Sequence, residues 1–432
     1  MRSDMPATNA TKNWGGNISL SGAIVDAPIE LDNLCELVAA SERCRVLGSR
    51  HSFNTISDSA TIIDTRNLPT TFSVADDRSD VTVSGWATYA WLAEQLSAHG
   101  LALKNMASLP HISVAGAIAT GTHGSGNANQ NLAASVSGLR LIRSDGELVE
   151  LRRGDRDFDG AVVGLGALGL TVDVTLDVVP TFDLEQRVFD GPDLGVLAAR
   201  VDDVFAAGYS VSVFTEWAGR ADQIWVKQRV GDDTPSQSQE LLDSLTPAEV
   251  RRHPVIELDA SGCTEQLGAP GPWFDRLPHF QMGFEPSVGD EIQSEFFVHR
   301  MHAAEAIDAM ARIGGDISEA LMIGEIRTVA ADSLWMSPHH GRDSLAFHFT
   351  WHPDPAAADA AARAVATALE PFAVRPHWGK VFAHDLLDLA QYENAHQFVE
   401  LVERFDPTGT FRNDLSSPST CATGQCRQQD ER

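Results

Sequence analysis

The sequence predicts an α+β protein of two domains, and three observations carry that prediction. Its 432 residues exceed what one small hydrophobic core needs. Short apolar strands and amphipathic helices alternate through the first third of the chain. After Pro180, strand patterns alternate with helices in a way that is typical of an antiparallel sheet covered by helices.

These patterns also suggest where the domains begin and end. We expect a first domain over residues 1–180 and a second over 181–384. A segment of about 385–418 is expected to pack back on the first domain, and the polar tail over 419–432 is expected to be disordered.

The first domain is predicted to begin with a strand over 23–25 and a helix over 29–40, followed by a strand over 43–47. Thr88 is a candidate N-cap of a later helix that Gly100 ends. The turn Ser144-Asp145-Gly146 between two apolar runs predicts a hairpin. Further strands are expected at 60–64, 81–84, 139–142, 147–151 and 171–179.

The second domain is predicted to contain longer elements. We expect strands over 295–298, 321–329 and 345–351. Helical spacing of apolar residues predicts helices over 303–313 and 356–369.

The composition excludes several classes of function. A formal charge of −28 argues against nucleic acid or an anionic membrane surface as partner, and a small neutral substrate is expected instead. The stretch behind Met1 has no apolar signal core, so we expect a cytoplasmic protein. We also expect a monomer. Five cysteines, an odd number, argue against a disulfide framework. No metal site is expected, because the histidines form no metal-ligand motif.

Two glycine-containing loops are candidates for cofactor binding. Residues 48–54 read GSRHSFN, and residues 121–126 read GTHGSG. Small residues let a backbone approach a diphosphate closely, and His51 at a loop tip can reach a flavin ring. The second loop lies in a stretch over 107–126 whose Ser113, Gly116 and Thr120 suit the same turn. Taken alone, the stretch over 107–126 is better explained as an ordinary glycine-rich turn, because such turns are common.

Two predicted strands carry polar side chains on one face. Glu325 and Arg327 share a face with Ile323 because side chains alternate along a strand. Such a pair can bind hydroxyl groups, although an exposed ion pair would have the same spacing. In the next strand Ala346, His348, Thr350 and His352 share one face, and Leu345, Phe347, Phe349 and Trp351 share the other. The polar faces are therefore candidates for lining one pocket.

Five motifs in order resemble those of the vanillyl-alcohol-oxidase type of flavoprotein, in its sugar-lactone and alditol oxidase branch. Besides the two loops, they are GALG at 166–169, PHWGK at 376–380, and FDP at 405–407 with FRN at 411–413. The resemblance implies a PCMH-type FAD-binding domain followed by a substrate domain built on an antiparallel sheet.

The resemblance also implies the cofactor and its contacts. FAD is expected to be bound covalently through His51 to the flavin 8α-methyl carbon; a histidine hydrogen-bonded near the ring is the alternative. The residues implied in cofactor binding are Val46, Leu47, Gly48, Ser49, Arg50, His51, Ser52, Ser108, Ser113, Gly116, Thr120, Gly121, Thr122, His123, Gly169 and Thr171.

The polyol-binding positions of that branch are matched by Ser108, Glu325, Arg327, Thr350 and Lys380. Glu325, Arg327 and Lys380 are the candidate catalytic residues. Lys380 is one of only four lysines, and it is expected to face the reacting hydroxyl as a base or as a stabiliser of alkoxide.

The resemblance implies oxidation of the terminal hydroxyl of xylitol or sorbitol to the aldose, with O2 reduced to H2O2. Two alternatives stay open. One is an aldonolactone oxidase or dehydrogenase of the same fold. The other is a carbohydrate-binding protein that has kept the flavin scaffold without catalysis.

Overall fold

The computed structural model describes residues 11–284, 291–413 and 415, and the tail expected to be disordered lies outside them. The first part of the chain builds two main sheets. Its strands are β1 (Ala23–Asp26), β2 (Cys44–Leu47), β3 (Thr61–Asp64), β4 (Phe72–Val74), β5 (Asp80–Ser84), β6 (Leu101–Ala102), β7 (Val136–Ile142), β8 (Leu148–Arg152), β9 (Leu170–Asp177) and β10 (Val179–Pro180). Its helices are α1 (Leu31–Ala40), α2 (Tyr89–Ala98), α3 (Val114–Ala119) and α4 (Phe158–Val162).

The small sheet is parallel, in the order β1-β3-β2. Parallel neighbours need a crossover, and α1 provides it by burying Leu34 and Val38 against the sheet. The larger sheet has the order β4-β5-β9-β7-β8 and is antiparallel throughout. The predicted hairpin at 144–146 is confirmed as the β7–β8 connection, where Gly146 takes a left-handed φ of +80°.

The second part of the chain builds an eight-stranded antiparallel sheet in the order β14-β11-β13-β12-β16-β17-β15-β18. Its strands are β11 (Asp183–Asp190), β12 (Ser210–Thr215), β13 (Gln223–Arg229), β14 (Gly271–Pro272), β15 (Ile292–His299), β16 (Leu321–Val329), β17 (Ser344–Trp351) and β18 (Arg375–Pro376). Its helices are α5 (Leu194–Ala199), α6 (Val201–Phe205), α7 (Ser236–Asp243), α8 (Ala303–Ile317) and α9 (Pro355–Leu369).

Side-chain alternation divides this sheet into two faces. Ile326, Phe347 and Phe349 belong to the same apolar cluster as buried residues of α8 and α9, which pack together. Helix α9 begins where the sequence predicts, because Asp354 caps two backbone N–H groups and Pro355 occupies the first turn. The opposite face of the sheet is left to line a cavity.

The C-terminal helix α10 (Ala395–Phe405) packs on α4 in the first part of the chain. Beyond it, Thr410 O accepts a hydrogen bond of 2.8 Å from Cys44 N, and Phe411 is buried with Leu34 and Val38. We propose the domain division 1–180 and 181–384 with this returning segment. In the described part of the chain, no helix is both long and apolar enough to cross a membrane.

Candidate active site

A cavity of about 620 Å³ lies between the loops of the first domain and the polar face of the eight-stranded sheet. A smaller cavity of about 130 Å³ shares part of its lining, including Gly48, Ser113 and Thr120. The expected site residues that line the larger cavity are Val46, Leu47, Gly48, Ser49, Arg50, His51, Ser52, Ser108, Ser113, Gly116, Thr120, Thr122, His123, Glu325, Arg327, Thr350 and Lys380.

Three expected cofactor contacts lie elsewhere. Gly169 and Thr171 line the smaller cavity. Gly121 lines neither cavity; its φ is +68°, and a Cβ there would lie 3.1 Å from Pro338. Gly121 therefore shapes the turn rather than facing the space beside it.

The two cofactor loops pack closely around the Ser113 side chain. A Cβ on Gly48 would lie 2.4 Å from Ser113 Oγ, and one on Gly116 would lie 2.8 Å from the same atom. Ser113 N also donates to Ser49 Oγ at 3.1 Å, which joins the loops. This narrow, hydroxyl-lined cradle beside a long cavity fits a dinucleotide such as FAD.

His51 lines the cavity, and its ring is held by a hydrogen bond to the backbone of its own loop. Its Nδ1 donates to the carbonyl of Ser49 at 2.9 Å, and Nε2 is buried with no hydrogen-bond partner among the described residues. Burial lowers the pKa of His51 to about 4, so the ring is neutral near pH 7. Trp14 stacks on the imidazole, with ring centroids 4.9 Å apart and planes 20° apart.

Strand register brings the charged residues of the second domain together. In β17, His348 is paired with Glu325 of β16 on one side and with Glu295 of β15 on the other. The three side chains therefore form a row across the sheet on the face that lines the cavity. His352, expected on the same face, lies beyond the end of β17 and is exposed.

Glu295 is the centre of this charged cluster, and the sequence interpretation missed it. Its carboxylate contacts Arg327 Nη2 at 2.5 Å, Lys380 Nζ at 2.8 Å and His123 Nε2 at 3.1 Å, with 1% of the side chain exposed. Burial raises the pKa of Glu295, but Lys380 and Arg327 outweigh burial and hold it well below its usual range. Glu295 thus stays ionised and balances the two cations.

Glu325 and Arg327 form the pair that the sequence predicts. Glu325 Oε2 lies 3.5 Å from Arg327 Nε, and both side chains are 5% exposed. Arg327 Nη1 also donates to Ser108 Oγ at 3.3 Å, which connects the sheet to the first domain. Burial raises the pKa of Glu325, but Arg327 and His279 outweigh it, so the carboxyl remains ionised.

Lys380 follows β18 and enters the cavity between the two domains. Its Nζ lies 2.8 Å from Glu295 Oε2 and 2.8 Å from His348 Nδ1. Burial lowers the pKa of Lys380, while Glu295 raises it and Arg327 lowers it further. Asn54 holds this segment, because its amide donates to the carbonyls of Trp378 and Lys380 at 2.8 Å each. The His51 loop and the PHWGK motif are therefore one unit.

His279 is a second residue that the sequence interpretation missed. Its Nε2 lies 2.8 Å from Glu325 Oε1. It comes from a loop without a motif, so the sequence carried no signal for it. Glu295 had only a weak signal, since it directly precedes the apolar residues 296–298 of a predicted strand.

Comparisons with known proteins define the class first. The structure matches a cholesterol oxidase from B. sterolicum with a TM-score of 0.74, covering 94% of this chain and 95% of that one at 14% identity, which shows a shared fold. The sequence profile of a protein family described as FAD binding domain matches residues 25–152. That of a family described as D-arabinono-1,4-lactone oxidase matches residues 292–417. The chain is an FAD-dependent oxidoreductase with the vanillyl-alcohol-oxidase type of fold.

Relatives then identify the family. An alditol oxidase from Streptomyces sp. is 43% identical, over 94% of this chain and 98% of the relative. An L-gulono-1,4-lactone dehydrogenase from Mycobacterium tuberculosis is 28% identical, over 94% of this chain and 97% of the relative. The chain therefore belongs to the alditol oxidase family, within the sugar-lactone oxidase branch.

Proposed function

We propose that the protein oxidises the terminal primary hydroxyl of an acyclic sugar alcohol, such as xylitol or sorbitol, to the aldose. The alcohol carbon gives up a hydride and its hydroxyl a proton, and O2 takes up two electrons and two protons to become H2O2. The observation that carries the proposal is the buried Glu325–Arg327 pair, which lines the same cavity as His51 and Lys380. The alditol oxidase family to which the chain belongs supports the same substrate class.

FAD, when bound, supplies hydride acceptance and reaction with O2. We propose that it is attached covalently through His51. Nδ1 of His51 donates to Ser49 O, so the neutral ring keeps its lone pair on Nε2, and Nε2 is the ring nitrogen that has no hydrogen-bond partner among the described residues. The glycine and serine cradle around Ser113 would hold the diphosphate.

Glu325 and Arg327 are proposed to bind two hydroxyls of the polyol. Glu325 Oε1 is occupied by His279, which leaves Oε2 to accept from a substrate hydroxyl. Arg327 has donors on both sides of its guanidinium, and Ser108 and Thr350 add hydroxyls at the same wall of the cavity. A row of donors and acceptors of this kind matches a chain of hydroxyl groups better than one ring ester.

Lys380 is proposed to face the reacting hydroxyl. As a neutral amine it would accept the hydroxyl proton, and flavin reduction would speed up as the pH rises through its pKa. As an ammonium it would stabilise developing alkoxide, and flavin reduction would slow down over the same range. The pH profile of anaerobic flavin reduction by xylitol separates the two roles.

A lactone substrate is the second candidate. The match of residues 292–417 to the D-arabinono-1,4-lactone oxidase model favours it, because this stretch contains Glu295, Glu325 and Arg327. A lactone also has hydroxyls that the Glu325–Arg327 pair could bind, but its ring holds part of them in a cyclic arrangement, whereas an acyclic polyol can extend along the row of donors and acceptors.

The decisive experiment is anaerobic mixing of the purified holoenzyme with xylitol, followed by flavin absorbance. Wild type should bleach, and Glu325→Ala should bleach far more slowly at equal flavin content. Glu319→Ala is the matched control, since Glu319 is exposed and lies outside the cavity. If the wild-type flavin stayed oxidised with xylitol but bleached with L-gulono-1,4-lactone, the polyol proposal would be wrong and the lactone would be the substrate.

We further propose a cytoplasmic monomer. The described cysteines Cys35, Cys44 and Cys263 are free thiols, which suits a reducing compartment. Cell fractionation and light scattering of the purified holoenzyme test these two points.

A further inference from the structure

Lys227 is a buried lysine that the proposed chemistry does not use, and burial lowers its pKa to about 7. It lies on β13 with 1% of the residue exposed. Its Nζ lies 2.5 Å from Leu277 O, 3.4 Å from Pro278 O and 3.1 Å from His279 Nδ1. All three contacts are made to the loop that precedes β15, and none is to a carboxylate.

His279 connects this lysine to the cavity. Its other ring nitrogen, Nε2, lies 2.8 Å from Glu325 Oε1. The rings of Phe214 and Trp225 contact the imidazole edge-on, with centroids 5.4 Å and 5.3 Å away, so its plane is fixed. Lys227, His279 and Glu325 therefore form one continuous line from the interior of the second domain to the proposed polyol site.

The chemistry of this line fixes which atoms carry protons. The two carbonyls can only accept, and Leu277 O is the nearer of the two; as an amine or an ammonium, Lys227 therefore has an N–H for Leu277 O and another for His279 Nδ1. His279 then carries its proton on Nε2 and donates to Glu325. The reverse tautomer would place the bare Nε2 against an ionised carboxylate, which leaves both atoms without a hydrogen.

We propose that Lys227 and His279 are positioning residues for Glu325: Lys227 holds His279, His279 binds Oε1, and Oε2 is thereby kept beside Arg327 Nε, where a substrate hydroxyl can bind. This inference rests on the proposed function of Glu325 in polyol binding. An apolar residue in place of Lys227 would avoid the cost of burying a charge, so stability alone does not account for a lysine there. Holding one acceptor atom in a fixed orientation does account for it.

The test is a double-mutant cycle on the holoenzyme, with Lys227→Met and Glu325→Ala singly and together. Lys227→Met should lower kcat/KM for xylitol on the order of tenfold, mainly through a higher KM, with flavin content unchanged. In the Glu325→Ala background the same change should alter kcat/KM by less than about twofold, because the residue through which Lys227 acts is gone. Equal effects of Lys227→Met in the two backgrounds would overturn the proposal.

A neighbouring residue provides the structural control. Gln186 of β11 pairs directly with Lys227 and is fully buried; its amide donates to Glu265 O at 2.9 Å and to Thr264 Oγ1 at 3.3 Å, and makes no hydrogen bond to the His279 ring. Gln186→Met removes a buried polar group from the same sheet. It should leave KM for xylitol unchanged, and a rise in KM equal to that of Lys227→Met would also contradict the proposal.

A second pair of variants keeps the test independent of Lys227. His279→Gln retains an N–H that can donate to Glu325, and it should keep KM within about threefold of wild type. His279→Leu removes the donor and should raise KM on the order of tenfold; equal KM values for the two would refute the positioning role. If the wild-type enzyme were inactive with xylitol, that result would contradict the proposed function but not the positioning role. The double-mutant cycle would then be measured with L-gulono-1,4-lactone.

Discussion

Replacing Glu295 with glutamine removes one charge from the centre of the site and leaves its volume nearly unchanged. Arg327 contacts one carboxylate oxygen at 2.5 Å and Lys380 contacts the other at 2.8 Å, whereas glutamine has an oxygen at only one of these two positions. Two cations would then share a buried space without their common counter-ion. We expect losses of both stability and activity.

The size of the expected loss of stability follows from the burial of the Glu295 ion pairs. Removing one partner of a buried ion pair costs about 3–5 kcal/mol. Lys380 keeps 14% of its side chain exposed, so the lower end, about 3 kcal/mol, is expected. Arg327 and Lys380 would also lose their fixed positions, and misplacement of about 1 Å can cost on the order of 100-fold in rate. A fall of that order in kcat/KM for xylitol is expected.

The assay compares two charge-neutralising variants. Asp385→Asn is the control, because Asp385 forms an exposed ion pair with Arg363 at 2.7 Å, and such pairs contribute at most about 1 kcal/mol. Stability is measured by urea unfolding, with flavin absorbance and tryptophan fluorescence as the two signals. Activity is measured as kcat/KM from the rate of peroxide release. If Glu295→Gln resembled Asp385→Asn in both measurements, the role of Glu295 as the common counter-ion would be refuted.

The pH dependence of the same variant gives an independent check. Glu295 raises the pKa of Lys380, so the Lys380 limb of the activity profile should move to lower pH in Glu295→Gln, whichever role Lys380 has. The folded-state pKa of Glu295 lies below its ordinary 4.5, so its contribution to stability is present above pH 4.5 and is lost as the pH falls through the folded-state value. If the Lys380 limb of the activity profile moved to higher pH in Glu295→Gln, the role of Glu295 as the partner of Lys380 would be contradicted.

Three further predictions concern the flavin and the substrate. Wild-type flavin should stay with the protein after acid precipitation, and His51→Ala should release it; colour lost from the wild type would contradict covalent attachment. Trp14→Ala should lower the retained fraction and Trp14→Phe should restore it, because a stacked ring holds His51 in place; equal retention would show that stacking has no part. Glu325→Ala should depress xylitol turnover far more than flavin content, and a parallel loss of both would indicate a structural role.

Local patterns allowed part of the fold and site to be predicted from the sequence. Alternation along a strand has a fixed period, so Glu325 and Arg327 were placed on one face before any contact was known. The His51 loop and the PHWGK motif are short and contiguous. The prediction that Thr88 caps a helix is confirmed by its side chain, which accepts from Trp91 N at 3.2 Å.

What escaped prediction depends on strand order and register. Glu295 meets Arg327 only because β17 lies between β15 and β16, and side-chain alternation does not reveal which strands pair. Strand β13 was not predicted, since its Gln223 and Lys227 are polar yet buried, and polarity normally marks exposure. His279 reaches Glu325 from a loop 46 residues away in the sequence.

The most direct test of the central claim is one steady-state comparison of xylitol, sorbitol, glycerol and L-gulono-1,4-lactone, with O2 consumption and H2O2 release measured together. The Glu325–Arg327 pair beside the His51 loop predicts the highest kcat/KM for xylitol or sorbitol, with one H2O2 formed for each O2 consumed. Turnover of the lactone in preference to every polyol, or polyol oxidation without H2O2, would contradict the assignment as an alditol oxidase.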